Sequence, residues 1–109
     1  MAGRNSKLAV LRELRRSLDR LLGNQLVRII LFGSMARGDN DDESDVDVAV
    51  ITRGSSRELK HQILDEVAEI ELEHDMPLSV LVFSDEEFDR LKKRERRIAL
   101  DIEDEGVLL

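Results

Sequence analysis

The chain has no cysteine, tryptophan or tyrosine, a single proline and three phenylalanines in 109 residues. Without cysteine there can be no disulfide, no thiolate metal ligand and no thiol nucleophile, a composition that fits a reducing compartment. Without Tyr or Trp the usual platforms for stacking single-stranded bases are missing. No apolar run approaches the roughly 20 residues that a membrane-spanning helix needs, and the first residues hold no apolar signal-peptide core. The expected location is therefore cytoplasmic. Basic residues are also in deficit: 17 Lys and Arg stand against 24 Asp and Glu, a formal net charge of -7. That balance argues against sequence-independent nucleic-acid binding, which relies on Lys and Arg to neutralise phosphates. One basic run, Lys92 to Arg97, reads as a solvated helix face.

What is present reads as one domain, residues 1–109, with a modest core. Leu8, Leu11, Leu14, Leu18 and Leu21 recur at helical spacing, so Asn5 to Leu22 is expected to form an amphipathic helix, capped by Asn5 or Ser6 and stopped at Gly23-Asn24. Its arginines, Arg12, Arg15, Arg16 and Arg20, either balance Glu13 and Asp19 on a solvated face or meet an acidic partner or a nucleotide. Val27, Ile29, Ile30, Leu31 and Phe32 form a strand, and Val46, Val48, Val50 and Ile51 a second. A turn at Thr52 to Ser56 leads to a helix over Arg57 to His74, with Leu59, Ile63, Val67 and Ile70 on one face. A third strand follows at Leu78 to Phe83. Ser84 and Glu87 make an S-x-x-E capping box that starts another helix and sends Phe88 and Leu91 inward. A short helix ending near Gly106 precedes the apolar residues Val107, Leu108 and Leu109, which are expected to pack on the sheet or on a partner. The order gives an α/β (α+β) fold, a small mixed β-sheet with helices packed on one side, whose first two strands are antiparallel neighbours.

The chemistry concentrates between those two strands, in GSMARGDNDDESDVDV, Gly33 to Val48. A buried strand that breaks into Gly-Ser reads as a tight turn where glycine allows positive φ and close backbone approach. Met35 to Arg37 is expected to add one helical turn. Backbone N–H groups there, with the Ser34 hydroxyl, can cradle a phosphate. Across the polar loop, alternation along SDVDVAVI puts Asp45 and Asp47 on one face. Two carboxylates beside a phosphate cradle suit Mg²⁺, which takes one or two protein carboxylates together with substrate phosphates.

Other motifs fail on spacing. Gly33 and Gly38 are separated as in a P-loop, but Asp39 and Asn40 stand where Lys and Ser or Thr are required. A Ca²⁺ loop begun at Asp39 would need glycine at Ser44 and glutamate at Val50. No G-x-G-x-x-G is present. A bland alternative is an acidic hairpin loop with two solvated aspartates. His61 and His74 are too far apart to read as a metal pair, and solvent exposure or a helix C-terminal charge interaction is the simpler reading of each.

GS, then RG, then SDVDVAV resembles the signature of the DNA polymerase beta-like nucleotidyltransferases, and most closely their smallest branch, the minimal nucleotidyltransferases. The resemblance covers nearly the whole chain and is most specific from Gly33 to Val50. It implies a nucleotidyltransferase fold and Mg²⁺-dependent transfer of a nucleotidyl group from ATP or another NTP to a hydroxyl. Gly33 and Ser34 would hold the terminal phosphates, while Asp45 and Asp47 would be the catalytic carboxylates that bind two Mg²⁺ ions. Arg37 matches the family's arginine and either neutralises triphosphate charge or pairs with the acidic loop. Relatives often carry a third aspartate on the third strand; here that place is Ser79, whose hydroxyl cannot replace a carboxylate as metal ligand or unaided base. Glu73 and Asp75 are the nearest substitutes. The resemblance further implies a helical HEPN-type protein partner, with this chain as the antitoxin of a toxin–antitoxin pair; a homo-oligomer is a further expectation. The alternative is a catalytically impaired nucleotide-binding module that neutralises its partner by contact, or a nucleotide sensor.

Overall fold

The structure, a computed structural model, describes residues 4–33 and 46–109. In chain order these form α1 (Arg4–Leu22), a 3₁₀ turn (Gly23–Gln25), β1 (Leu26–Phe32), β2 (Val46–Thr52), α2 (Arg57–His74), β3 (Leu78–Ser84), α3 (Asp85–Lys93), α4 (Arg97–Glu105) and β4 (Val107–Leu108). The four strands make one sheet in the order β3-β2-β1-β4. β1 is antiparallel to both β2 and β4, whereas β2 and β3 run parallel. A parallel pair needs a long crossover, and α2 supplies it.

β2 lies between β1 and β3, and every residue in it except Asp47 is buried. Burial on both faces accounts for its near-continuous apolar sequence. Val46, Val48 and Val50 join Ile29 and Leu31 of β1 in a core roofed by α1 and α2. Ala49 and Ile51, which alternate with them, join Ile30, Phe88, Ala99 and Ile102 in a second core on the opposite face. Helices therefore cover both faces of the sheet: the two long ones pack on one side as expected, and the short α3 and α4 lie on the other. The reason is β2 itself, whose second apolar face would otherwise meet water. At about 25 cal/mol per Å² of buried apolar surface, leaving that face bare would forfeit several kcal/mol.

Local sequence sets the helix ends. Ser56 caps α2 by accepting the Leu59 N–H at 3.0 Å, and Ser84 caps α3 by accepting the Glu87 N–H at 3.0 Å. Asp85, Glu86 and Glu87 fill the first turn of α3, and Arg90, Lys92 and Lys93 its last, each sign matching the helix dipole. α1 begins at Arg4, so neither Asn5 nor Ser6 stands ahead of the helix. Its buried stripe runs through Val10, Leu11, Leu14, Leu18 and Leu22, while Leu8 and Leu21 are exposed. The inward face is thus rotated from the one drawn through every leucine, because Val10 is as apolar as its neighbours.

The basic run Lys92 to Arg97 is not a continuous helix face. α3 ends at Lys93, Glu95 takes a left-handed φ of 54°, and α4 starts at Arg97. Lys92 folds back over the Phe88 ring, 5.3 Å from its centroid, and pairs with Asp89 at 3.7 Å and Glu103 at 3.8 Å. The last residues are a strand: Val107 and Leu108 pair with Leu31 and Ile30, and the Leu109 N–H donates to Ile29 O at 2.9 Å.

Candidate active site

One end of the sheet brings the motif residues together. Phe32 lies opposite Asp47 in the antiparallel β1–β2 ladder, and Asp47 lies beside Ser79 in the parallel β2–β3 ladder. Residues paired across a ladder share a face, so Phe32, Asp47 and Ser79 form one row across three strands. That row is on the side of the second core, because Asp47 is two and four residues from Ala49 and Ile51. The apolar cover thins toward this end: Phe32 and Asp47 are half-buried and Ser79 is exposed. A carboxylate is tolerated here because it keeps access to water.

β1 stops at Gly33, which has φ +77°. The Asp47 carboxylate lies directly over its Cα, where a side chain would otherwise begin. A Cβ at this position would collide with Asp47 Oδ2 and stand 3.2 Å from Cγ and 3.3 Å from Cβ of the same residue. Glycine is needed here for both its backbone conformation and its lack of a side chain. The turn where a phosphate cradle was expected is therefore in contact with a carboxylate where a metal ligand was expected. Ser34, Arg37 and Asp45, together with the Met35 to Arg37 turn and the acidic loop Asp39 to Ser44, lie outside the described residues.

Ser79 is held in register from outside its own strand. The Glu71 side chain accepts the Leu78 N–H at 2.9 Å. Its backbone oxygen accepts the N–H groups of Asp75 and Met76, closing α2 with Asp75 at φ 49°. This role of Glu71 left no local mark in the sequence, because seven residues and a helix end separate donor from acceptor. Asp75 is thus tied to the helix terminus. Glu73 lies with Glu13 and His74, on the helices that cover the opposite face from Asp47. Among the described residues, the carboxyl-bearing side chain that β2 and β3 place in this row is Asp47 alone.

At this end of the sheet a glycine turn thus stands against a carboxylate. The profile of the nucleotidyltransferase domain matches residues 11–108, and the chain belongs to that family, consistent with the minimal branch that the motif resembled. It is a nucleotidyltransferase enzyme, from a family that generally uses a nucleoside triphosphate and a divalent metal. A proposed protein adenylyltransferase of Methanocaldococcus jannaschii is 32% identical over 77 residues, spanning 70% of this chain and 78% of that protein. The crystal structure of a proposed nucleotidyltransferase from Sulfolobus solfataricus matches 99% of this chain and 86% of its own length, with a TM-score of 0.63 at 21% identity. That likeness shows the fold. Among the described residues no helix is long and apolar enough to cross a membrane.

Proposed function

We propose that this chain is a single minimal nucleotidyltransferase domain that transfers AMP from ATP to a hydroxyl of a protein partner, with Mg²⁺. The contact of Gly33 with the Asp47 carboxylate carries the reading, because it joins the phosphate-binding turn to the metal-binding strand. The adenylyltransferase name of the Methanocaldococcus relative supports ATP as donor and a protein as acceptor. The net charge of -7 favours a protein over a nucleic acid.

In this reading Gly33 and Ser34 bind the β- and γ-phosphates, and Asp45 joins Asp47 as metal ligand by the alternation of the strand. Arg37 offsets triphosphate charge from the loop. The donor set fits the ion: two carboxylates with substrate phosphates and water complete a Mg²⁺ shell. Bound divalent metal supplies charge neutralisation at the α-phosphate. The acceptor oxygen bonds to the α-phosphorus, the bond from that phosphorus to the bridging oxygen of the β-phosphate breaks, and pyrophosphate leaves. The hydroxyl proton departs to water, since Ser79 has no carboxylate to receive it. The acceptor belongs to a helical HEPN-type protein, which the modification silences in a cytoplasmic toxin–antitoxin pair.

Incubating the chain with the partner and Mg-ATP, followed by mass spectrometry of both, tests this reading. Addition of one or more AMP groups to the partner is the expected result. A partner that stays unmodified yet is bound and inhibited would overturn transfer in favour of neutralisation by contact.

A further inference from the structure

Glu13 on α1 and Glu73 and His74 at the end of α2 bring two carboxylates and an imidazole together on the side of the molecule away from Asp47. Their donor atoms all lie within 4.8 Å of one another. His74 Nε2 is in direct hydrogen-bond contact with Glu13 Oε2. The carboxylates of Glu13 and Glu73 thus stand close together beside the imidazole, an arrangement of like charges that a bound cation would relieve. The side chains of Glu13 and His74 are 32% and 29% exposed, so they are held by the helix interface while one side stays open to water.

We propose that Glu13, Glu73 and His74 form a binding site for a late first-row divalent cation such as Zn²⁺, separate from the site that serves the nucleotide. The donor chemistry selects the ion. Imidazole suits zinc, nickel and copper, whereas Mg²⁺ prefers carboxylate, carbonyl and water. One nitrogen and two carboxylate oxygens, with water in a fourth position, match zinc sites that keep an open coordination place. Small rotations of partly exposed side chains bring donors now up to 4.8 Å apart to the roughly 3.3 Å spacing of tetrahedral ligands about 2.0–2.1 Å from the metal. Binding replaces the Glu13–His74 hydrogen bond with bonds from both side chains to the ion. Because the ligands come from two helices, the ion ties α1 to the end of α2 and raises stability by linkage.

The test uses the full chain without nucleotide, in a background carrying Asp45→Asn and Asp47→Asn, with Zn²⁺ as the probe in calorimetry. One equivalent is expected to bind and to raise Tm. Glu73→Gln and His74→Gln should each weaken it by at least the roughly 10–100-fold that loss of an outer partner costs a metal site. Glu73 is exposed, so its variant should fold normally; circular dichroism checks both. His61 and His74 are the only histidines, so ring-nitrogen NMR reads the ligand directly: zinc should move His74 Nε2 and leave His61 unchanged. No binding by the parent chain, binding undiminished in His74→Gln, or binding abolished by the Asp45/Asp47 background would each overturn the proposal. None of these readouts depends on transfer activity, so the site stands or falls apart from the reaction proposed above.

Discussion

Replacing Gly33 with alanine separates backbone strain from close contact, because the protein contains its own control. Gly33 and Gly54 have nearly equal φ, +77° and +73°, yet a Cβ at Gly54 meets nothing within 4 Å while one at Gly33 strikes the Asp47 carboxylate. Left-handed backbone costs an L-residue about 1–2 kcal/mol. Alanine recovers about 0.4–1 kcal/mol of that by restricting the unfolded chain. Gly54→Ala should therefore lose about 1 kcal/mol. Gly33→Ala should lose a further ~1–3 kcal/mol, the usual cost of forcing atoms into a filled site. At roughly 4–8 °C per kcal/mol for a domain near this size, the second variant should melt about 10 °C or more below the parent, and the first about 5 °C below. Thermal melts by circular dichroism suffice, and the absence of Tyr and Trp rules out intrinsic fluorescence. A double-mutant cycle completes the argument: in an Asp47→Ala background the carboxylate atoms are gone, and Gly33→Ala should approach the cost seen at Gly54. Losses at Gly33 that agree with and without Asp47 to within the ~0.5 kcal/mol scatter of independent sites would refute the contact.

Asp45→Asn with Asp47→Asn should abolish metal-dependent nucleotide binding in calorimetry while apo stability holds or rises, because like charges are removed; unfolding of that variant would make the carboxylates structural. Ser79→Asp places a third carboxylate in register with Asp47 and should raise transfer to the partner by roughly 10²–10⁴-fold, the usual worth of a positioned base. The same variant should be less stable than the parent without metal and recover with Mg²⁺; indifference to metal would mean the side chain does not face the site. The hydrogen bond from His74, opposed by desolvation and aided by the charge of His74, a bond with Glu73 and the charge of Arg16, holds the Glu13 carboxyl below its usual range. A depressed carboxyl stabilises the fold above its unfolded value, about 4.3, and that contribution is lost as pH falls through the lower folded value. In chelator-treated buffer, urea midpoints should therefore fall less steeply with acid for Glu13→Gln than for the parent; identical profiles would remove Glu13 from the account.

Periodicity made both long helices and three strands legible, because each buries one continuous apolar face. The neighbourhood of Gly33 and Asp47 was legible too, since a strand that ends in glycine and a strand that begins with alternating aspartates must be antiparallel to meet. Ser79 was singled out through the family resemblance, as the place of a third aspartate on the third strand, and the parallel β2–β3 ladder sets it beside Asp47. Three features were hidden. The two-sided helix layer depends on Ala49 and Ile51 facing a second core, which an apolar run buried on both sides does not announce. Val107 and Leu108 are too few to show a strand period, and their pairing partner lies far back in the chain. Glu13 and His74 are 61 residues apart and meet only because α1 and α2 pack together; each alone looks like an ordinary surface residue. The motif's own loop, with Ser34, Arg37 and Asp45, lies outside the described residues, so its part in the site rests on the strands that flank it.

The position of β4 bears on how the chain is made. β1 is synthesised early and pairs with β2 soon afterwards, but its other edge stays open through the translation of α2, β3, α3 and α4, until Val107 and Leu108 emerge. During that interval its Ile30 and Leu31 backbone groups are unpaired, the condition under which a nascent strand recruits a foreign one. Val107 and Leu108 close that edge by pairing with Leu31 and Ile30. A release failure or proteolytic trim before Val107 would leave a protein with Gly33 and Asp47 in place and a sticky edge beside them, so loss of solubility should precede loss of the site's own architecture.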